Sequence, residues 1–97
     1  MEVLALAIDV HFPVAQSLKE KRALLRPLID GIGNRFTVSV AEVDYQDLWQ
    51  RAEVGVAIVS GTAKVATEVA DEVERFVWSF PEFEVTRIER HWMELDK

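Results

Sequence analysis

The chain has 97 residues, of which 49% are hydrophobic and 29% are charged. This composition is typical of a single folded domain over residues 1–97 and excludes a disordered chain. The absence of cysteine excludes a disulfide framework and a thiolate metal site. The net charge of −6 argues against nucleic-acid binding through the whole surface.

The charge is unevenly distributed along the chain. Residues 17–35 carry five basic and two acidic side chains (5 − 2 = +3), whereas residues 36–97 carry six basic and thirteen acidic side chains (6 − 13 = −7). The apolar run Val3–Ile8 has no basic leader and is too short for a signal peptide or a membrane span. Together with the absence of cysteine, this predicts a cytoplasmic protein with one basic segment on an acidic background.

The first part of the chain is predicted to form a strand and a helix. Val3–Phe12 alternates between large apolar side chains and small or polar ones, which predicts a strand with one buried face. Ser17 and Glu20 have the spacing of a capping box, and apolar residues recur at helical spacing after them. Gly31 and Gly33 are predicted to end this helix.

The remainder is predicted to form a hairpin, a second helix and a last strand. Two β-rich runs, Phe36–Asp44 and Arg51–Ser60, are close enough to pair with each other. The second helix follows with Ser60 or Thr62 as its cap. In the last strand, Phe83–Met93, the apolar residues change parity, which predicts a β-bulge or an edge position.

The element order βαββαβ predicts an α+β fold, a ferredoxin-like two-layer sandwich. The sheet is expected to be antiparallel in the order 4-1-3-2 with both helices on one face, because this arrangement avoids left-handed crossovers. The end of strand 1, the start of helix 1 and the end of strand 2 then lie at the same end of the sheet.

Two segments resemble a known family: QSLKEKR at Gln16–Arg22 and NRFTVSVAEVDYQDLWQRA at Asn34–Ala52. They are similar to the YlxP-like family of small bacterial proteins, and the similarity extends along the chain. The resemblance implies a ferredoxin-like fold and a cytoplasmic protein with no assigned activity or catalytic residues. Members of the family are often encoded beside translation-initiation and ribosome-maturation factors, which points to RNA or the ribosome.

The predicted topology brings both segments to one end of the sheet, which is the first candidate site. A helix N-terminus with nearby cations can hold an anion such as phosphate, and a basic helix face can contact RNA phosphates. In the structural alternative, Asp44 and Asp47 only fix the turn, Trp49 only covers the core and Lys21 only pairs with an acid. The candidate binding residues are Lys19, Lys21, Arg22, Arg26, Asp44, Gln46, Asp47, Trp49 and Arg51.

The sheet face without helices is the second candidate surface. Base stacking as in RNA-recognition motifs is not expected there, because the central strands present no aromatic ring. The residues expected on this face are Ala5, Ala7 and Asp9 of strand 1 and Glu53, Gly55, Ala57 and Val59 of strand 3. A homodimer could form across this flat face or along the edge of strand 2. The alternative is a solvated face in a monomer.

The sequence contains no Gly-rich phosphate loop, HExxH motif or nucleophile elbow. His11 and His91 are expected to lie about 20 Å apart, too far to share a metal. We therefore predict no catalytic residue, metal or cofactor, and we interpret the protein as a non-enzymatic binding or accessory module linked to RNA or the ribosome, with no membrane partner. The alternative is a small-ligand-binding or small hydrolytic protein that uses the end formed by residues 16–22 and 44–51.

Overall fold

The computed structural model describes residues 1–95. Four strands form one antiparallel sheet in the order β2-β3-β1-β4. Counted from the other edge, this is the predicted order 4-1-3-2, so the ferredoxin-like βαββαβ arrangement is confirmed. The elements are β1 (Glu2–His11), α1 (Leu18–Arg35), β2 (Ser39–Asp44), β3 (Arg51–Ser60), α2 (Ala63–Trp78) and β4 (Glu84–Met93).

The core lies between one face of the sheet and the two helices. Alternate residues of β1 and β3 pair across the two central strands and are almost completely buried, as the alternation of apolar residues predicts. Burial of these side chains is the main favourable term for folding. The core residues include Leu4, Leu6, Ile8 and Val10 of β1, Val54, Val56 and Ile58 of β3, Leu25, Leu28 and Ile32 of α1, and Ala66, Ala70, Val73 and Val77 of α2.

Both helices begin at capped N-termini that the sequence predicts. The hydroxyl of Ser17 accepts from the backbone N–H of Glu20 at 3.1 Å, and the Glu20 carboxylate accepts from the backbone N–H of Gln16 at 2.6 Å. Thr62 is the cap of α2, and its hydroxyl accepts from the N–H of Val65 at 3.2 Å. These contacts satisfy N–H groups that have no partner within the helix.

The predicted end of α1 is wrong, because the helix continues through both glycines to Arg35. Neither Gly31 nor Gly33 has a positive φ, so neither forms a left-handed cap. A Cβ on Gly31 would lie 2.5 Å from the ring of Phe76, so this glycine is a packing site for α2. Phe36 then donates its N–H to the carbonyl of Ile32, and β2 begins at Ser39 instead of Phe36.

Both edge strands contain an irregularity. The pairing of β1 with β4 shifts register between Asp9 and Val10, which confirms the predicted bulge. A second shift, in β2 after Glu42, brings the side chain of Val43 over Gly55. No helix within residues 1–95 is long and apolar enough to cross a membrane.

Candidate functional site

The connection between β2 and β3, residues 45–50, is held by a buried lysine from α1. Lys21 is 0% exposed, and its Nζ donates to the carbonyls of Tyr45 at 2.9 Å, Gln46 at 3.3 Å and Arg51 at 3.1 Å. These bonds use all three ammonium protons. Glu42 Oε2 lies 2.9 Å from the same Nζ but has no hydrogen-bond partner, so their contact is an ion pair without a directed bond.

A glutamine joins this connection to the turn before α1. The side chain of Gln50 donates through Nε2 to the carbonyls of Pro13 at 3.3 Å and Ala15 at 3.1 Å. The backbone carbonyl of Gln50 accepts from the backbone N–H of Phe12 at 2.8 Å. Gln50 therefore fixes the connection to the turn before α1, while Lys21 joins the segment Gln16–Arg22 to the segment Asn34–Ala52.

The turn at the end of β2 contains a residue in the left-handed region. Tyr45 has φ 62°, a conformation that is costly for a non-glycine residue. Asp44 Oδ1 accepts from the N–H of Tyr45 at 2.8 Å. The carboxylate of Asp44 thus fixes the turn by a backbone hydrogen bond, as expected if its role is structural.

Arg51 connects this turn to the sheet. Its guanidinium lies 3.8 Å from the centre of the Tyr45 ring and donates through Nε and Nη2 to the Asp9 carboxylate at 3.1 and 2.7 Å. The hydrogen bond to Asp9 raises the pKa of Arg51 and outweighs the opposing effect of lost hydration. Arg51 therefore stays charged, and its Nη1 is not engaged by Asp9.

An open depression of about 620 Å³ lies beside this arginine. Trp49 is 53% exposed and Leu48 is 49% exposed, so neither side chain serves mainly to cover the core. Among the lining residues, His11 places Nδ1 3.5 Å from the Glu84 carboxylate. The depression is lined by His11, Asp47, Leu48, Trp49, Gln50 and Arg51.

The basic residues of α1 lie elsewhere. Lys19, Arg22 and Arg26 are all exposed. The two arginines line a smaller groove of about 180 Å³ together with Leu25, Ile29, Asp30 and Glu42. The predicted site therefore consists of two separate parts, this groove and the depression. Lys21 is buried beneath the connection and Asp44 fixes its turn, so neither is available to a ligand in the way that the exposed residues are. Gln46 is exposed on the connection.

Three contributors to this end were not singled out from the sequence. Glu42, Tyr45 and Gln50 hold or line the connection; Tyr45 and Gln50 lie within the predicted range 44–51, whereas Glu42 lies outside it. Burial of Lys21 was the available signal, since a charge at the edge of an apolar stripe needs a partner. Within residues 1–95, no three His, Asp or Glu side chains are grouped so that they could hold a metal ion.

The uncovered sheet face has small apolar side chains on its central strands, bordered on β4 by His91 and Glu89, which pair with Ala5 and Ala7. Pairing places Ala5 opposite Ala57 and Ala7 opposite Gly55, with Val3 opposite Val59 at the far end. On the same face, toward the depression, Asp9 pairs with Glu53 of β3 and with Arg87 of β4, and His11 pairs with Arg51 and Glu84.

Comparison with known proteins places this chain in a family. A sequence model of the DUF503 family, described as a protein of unknown function, matches residues 3–90. The uncharacterized protein YlxP of Bacillus subtilis (strain 168) is 42% identical over 78 residues, which cover 80% of this chain and 85% of YlxP.

Solved structures are similar in fold. A de novo designed protein with a ferredoxin fold, LFR1 1, has a TM-score of 0.59 at 13% identity, covering 98% of this chain and 88% of the design. A REP-associated tyrosine transposase bound to a REP hairpin has a TM-score of 0.46 at 11% identity and covers 98% of this chain and 58% of that chain, a likeness too low to support an argument. The design supports the fold alone, whereas the match over residues 3–90 and the 42% identity to YlxP show that the chain belongs to the DUF503, YlxP-like family of proteins of unknown function.

Proposed function

We propose that this protein is a cytoplasmic, non-enzymatic binding module that associates with RNA in the setting of the ribosome or of translation. The observation that carries the proposal is the exposed basic face of α1. Lys19, Arg22 and Arg26 are exposed at helical spacing, so they form one row along the helix. Basic side chains in such a row can neutralise successive phosphates and orient an RNA on the protein. The ribosomal setting rests on the family resemblance.

The charge around this row supports a local contact. The charge of buried Lys21 is balanced by Glu42, so it adds little to the field outside. The exposed side chains of α1 are four basic ones against two acidic ones, Glu20 and Asp30, a net charge of 4 − 2 = +2. The chain as a whole carries −6. Phosphates are therefore attracted to α1 and repelled by the remaining surface, which selects one orientation.

The contacts of the acidic residues support a binding role over catalysis. Asp44 accepts the N–H of Tyr45, and Asp9 accepts two hydrogen bonds from Arg51. A general base needs a carboxylate that can reach the proton of a substrate. These two carboxylates are used instead to fix the turn and to orient an arginine.

Co-sedimentation with ribosomal subunits and with total RNA tests this proposal. The double charge reversal Arg22→Glu/Arg26→Glu is compared with Lys64→Glu/Arg75→Glu, which changes two exposed basic residues of α2 by the same charge. We expect the α1 reversal to remove most of the retention and the α2 reversal to leave most of it. Equal loss in both variants would show that only net charge matters, and retention by the α1 variant would remove this face from the account.

A second candidate function is favoured by the depression beside Trp49. Its volume of about 620 Å³ is in the range of small-molecule sites, roughly 300–1,000 Å³. A small-ligand-binding or small hydrolytic protein would use this end, with Asp47 as its exposed carboxylate. Screening ester and phosphoester substrates with the wild type and with Asp47→Asn tests the hydrolytic form. Turnover that Asp47→Asn abolishes would favour an enzyme over a binding module.

A second copy of the chain is the partner that we propose for the uncovered sheet face. The small side chains of Ala5, Ala7 and Ala57 leave this face flat, while Val59 at 64% and Met93 at 55% exposure are apolar and accessible on it. Light scattering should then give a mass of about twice 11.1 kDa. Ala57→Glu should return the mass to that of a monomer, whereas a dimer that survives Ala57→Glu would indicate pairing along the edge of β2.

A further inference from the structure

We propose that the depression beside Trp49 binds a nucleobase, which stacks on the indole ring and is hydrogen-bonded at its edge by Asp47, Gln50 and Arg51. This inference extends the proposed function, and it rests on that function only in expecting that the base belongs to RNA. The same chemistry would also accept a free nucleotide. The site is separate from the basic groove of α1, since the two have no lining residue in common.

The stacking platform is an aromatic side chain kept in solvent by an ordered connection. Trp49 is 53% exposed, although its backbone neighbours are fixed by the bonds of Lys21 and Gln50. A flexible loop would bury such a ring against the nearest apolar surface, because burial of an indole is favourable. A held connection keeps the ring available, and a preorganised ring loses little conformational entropy when a base stacks on it.

The polar groups around the ring offer both hydrogen-bond donors and acceptors. Nε2 of Gln50 is used by the carbonyls of Pro13 and Ala15, so its Oε1 is left as an acceptor. The carboxylate of Asp47 is a second acceptor that lines the depression. Arg51 is held by Asp9 through Nε and Nη2, which leaves Nη1 as a donor in a fixed orientation. Two acceptors and one donor suit a base with an exocyclic amino group and a ring nitrogen or carbonyl.

The electrostatics of the depression favour a base over a phosphate. Its one arginine is already neutralised by Asp9 at 2.7 Å, and His11 faces the carboxylate of Glu84. Asp47 adds a further negative charge. A phosphate would be repelled here, while an uncharged base is not. The phosphate of the ligand is therefore expected to stay outside, and the binding energy at this site should depend little on salt.

The chain contains three tryptophans, which allows the site to be observed directly. Trp78→Phe/Trp92→Phe leaves Trp49 as the only tryptophan, and both replaced side chains are on the surface, 61% and 46% exposed. The fluorescence of this variant is titrated with the four ribonucleoside monophosphates, with ribose phosphate, and with single-stranded and duplex RNA oligonucleotides. We expect saturable quenching by base-containing ligands that persists at high salt, and none by ribose phosphate.

The affinity of the same ligands is measured by calorimetry with Trp49→Ala and with the matched control Trp78→Ala. Loss of one stacking platform should weaken binding about 5- to 140-fold. The control should bind like the wild type, and Trp49→Phe should lie between them. A Trp49→Ala variant that binds as tightly as Trp78→Ala would overturn the proposal.

The two sources of the base give different results. Quenching by monophosphates shows a free-nucleotide site, and quenching by single-stranded RNA alone shows an unpaired base in RNA, both of which support the site. Equal quenching by ribose phosphate, or no quenching by any base, contradicts it. The variant Arg22→Glu/Arg26→Glu separates this result from the proposed function. If the variant retains RNA as well as the wild type does, the RNA contact of α1 is refuted. If monophosphates still quench its Trp49 fluorescence, the nucleobase site stands independently of that contact.

Discussion

Replacing Lys21 by methionine is the sharpest test of how this fold holds its candidate site. Lys21→Met keeps the apolar stem of the side chain inside the protein and removes the charge and all three donors. The carbonyls of Tyr45, Gln46 and Arg51 lose their bonds to Nζ, and Glu42 loses the counter-ion that lies 2.9 Å from its carboxylate. The substitution therefore affects the connection and leaves the packing of α1 largely unchanged.

The expected loss of unfolding free energy follows from these contacts. Removing one partner of a buried ion pair costs about 3–5 kcal/mol, because the remaining charge has no compensation. The side chain of Glu42 is 20% exposed, so water recovers part of this cost, and the freed carbonyls near the surface can rehydrate. We expect a loss of about 3 kcal/mol, a large share of the roughly 5–15 kcal/mol that stabilises a domain.

Urea denaturation, followed by circular dichroism, measures this loss. With a slope of about 1–3 kcal/mol per molar urea, the midpoint should fall by roughly 1–3 M. Lys19→Met, an exposed lysine of the same helical turn, is the control and should stay within about 0.5 kcal/mol of the wild type. In the double variant Lys21→Met/Glu42→Met the orphaned charge is gone, so about 1–2 kcal/mol should be recovered.

Two results would refute this reasoning. Lys21→Met as stable as the Lys19→Met control would show that the buried ammonium contributes nothing net. A double variant less stable than Lys21→Met alone would show that Glu42 stabilises the fold by contacts other than the ion pair.

Three further substitutions test the packing and the edges of the sheet. Gly31→Ala should cost about 1–3 kcal/mol of unfolding free energy, because the added Cβ would lie 2.5 Å from the Phe76 ring inside a packed interface. Gly55→Ala should cost less than about 1 kcal/mol of unfolding free energy, because the side chain of Val43 that a Cβ would meet is half exposed and can rotate away. A cost equal to that of Gly31→Ala would contradict this difference. Arg90→Met should cost about 1–2 kcal/mol of unfolding free energy, because Arg90 joins β4 to α2 through Glu74 and Asp71. An unchanged urea midpoint would show that these hydrogen bonds do not contribute to stability.

Arg90 also illustrates how two opposing effects set a pKa. Partial burial lowers the pKa of its guanidinium, but the hydrogen bonds to Asp71 and Glu74 raise it by more, so the net shift is upward. Arg90 thus remains charged over the accessible pH range and keeps its link between β4 and α2.

The alternation of apolar residues was enough to predict the sheet and its buried face. The period of two in β1 and β3 assigns each side chain to a face, and a shift of one residue would expose the whole core. The parity change between Val85 and Ile88 likewise predicted a bulge or an edge position. β4 has both, since it lies at the edge of the sheet and its register shifts opposite Asp9 and Val10.

The end of α1 could not be predicted from local signals. Gly31 and Gly33 have the composition of a helix stop, but the choice depends on what packs against them. Phe76 from α2 occupies the space of the missing Cβ at Gly31, and Ile32 is buried in the core, so tertiary packing extends the helix. A contact with a residue far along the chain has no signature within the window of a single helix.

The sequence predicted where the candidate site lies, but not that it is divided into a basic groove and a separate depression. Topology brought the segments Gln16–Arg22 and Asn34–Ala52 to one end, and the structure joins them through Lys21. The place of Lys21 at the edge of the apolar stripe of α1 indicated that its charge needs a partner. The sequence did not identify its three acceptors, because they are backbone carbonyls, which every sequence has. Nor did it separate the exposed row of α1 from the depression beside Trp49, since that depends on which side of the connection each side chain occupies.

The salt dependence of RNA affinity tests the central claim most directly. The affinity of the wild type, of Arg22→Glu/Arg26→Glu and of Lys64→Glu/Arg75→Glu is measured against a single-stranded RNA at several salt concentrations. Each lost phosphate contact should reduce the slope of log affinity against log salt by about 0.7, so the α1 variant should show a slope smaller by roughly 1.4, while the α2 variant keeps the slope of the wild type. Equal slopes for all three proteins would contradict an RNA contact through α1.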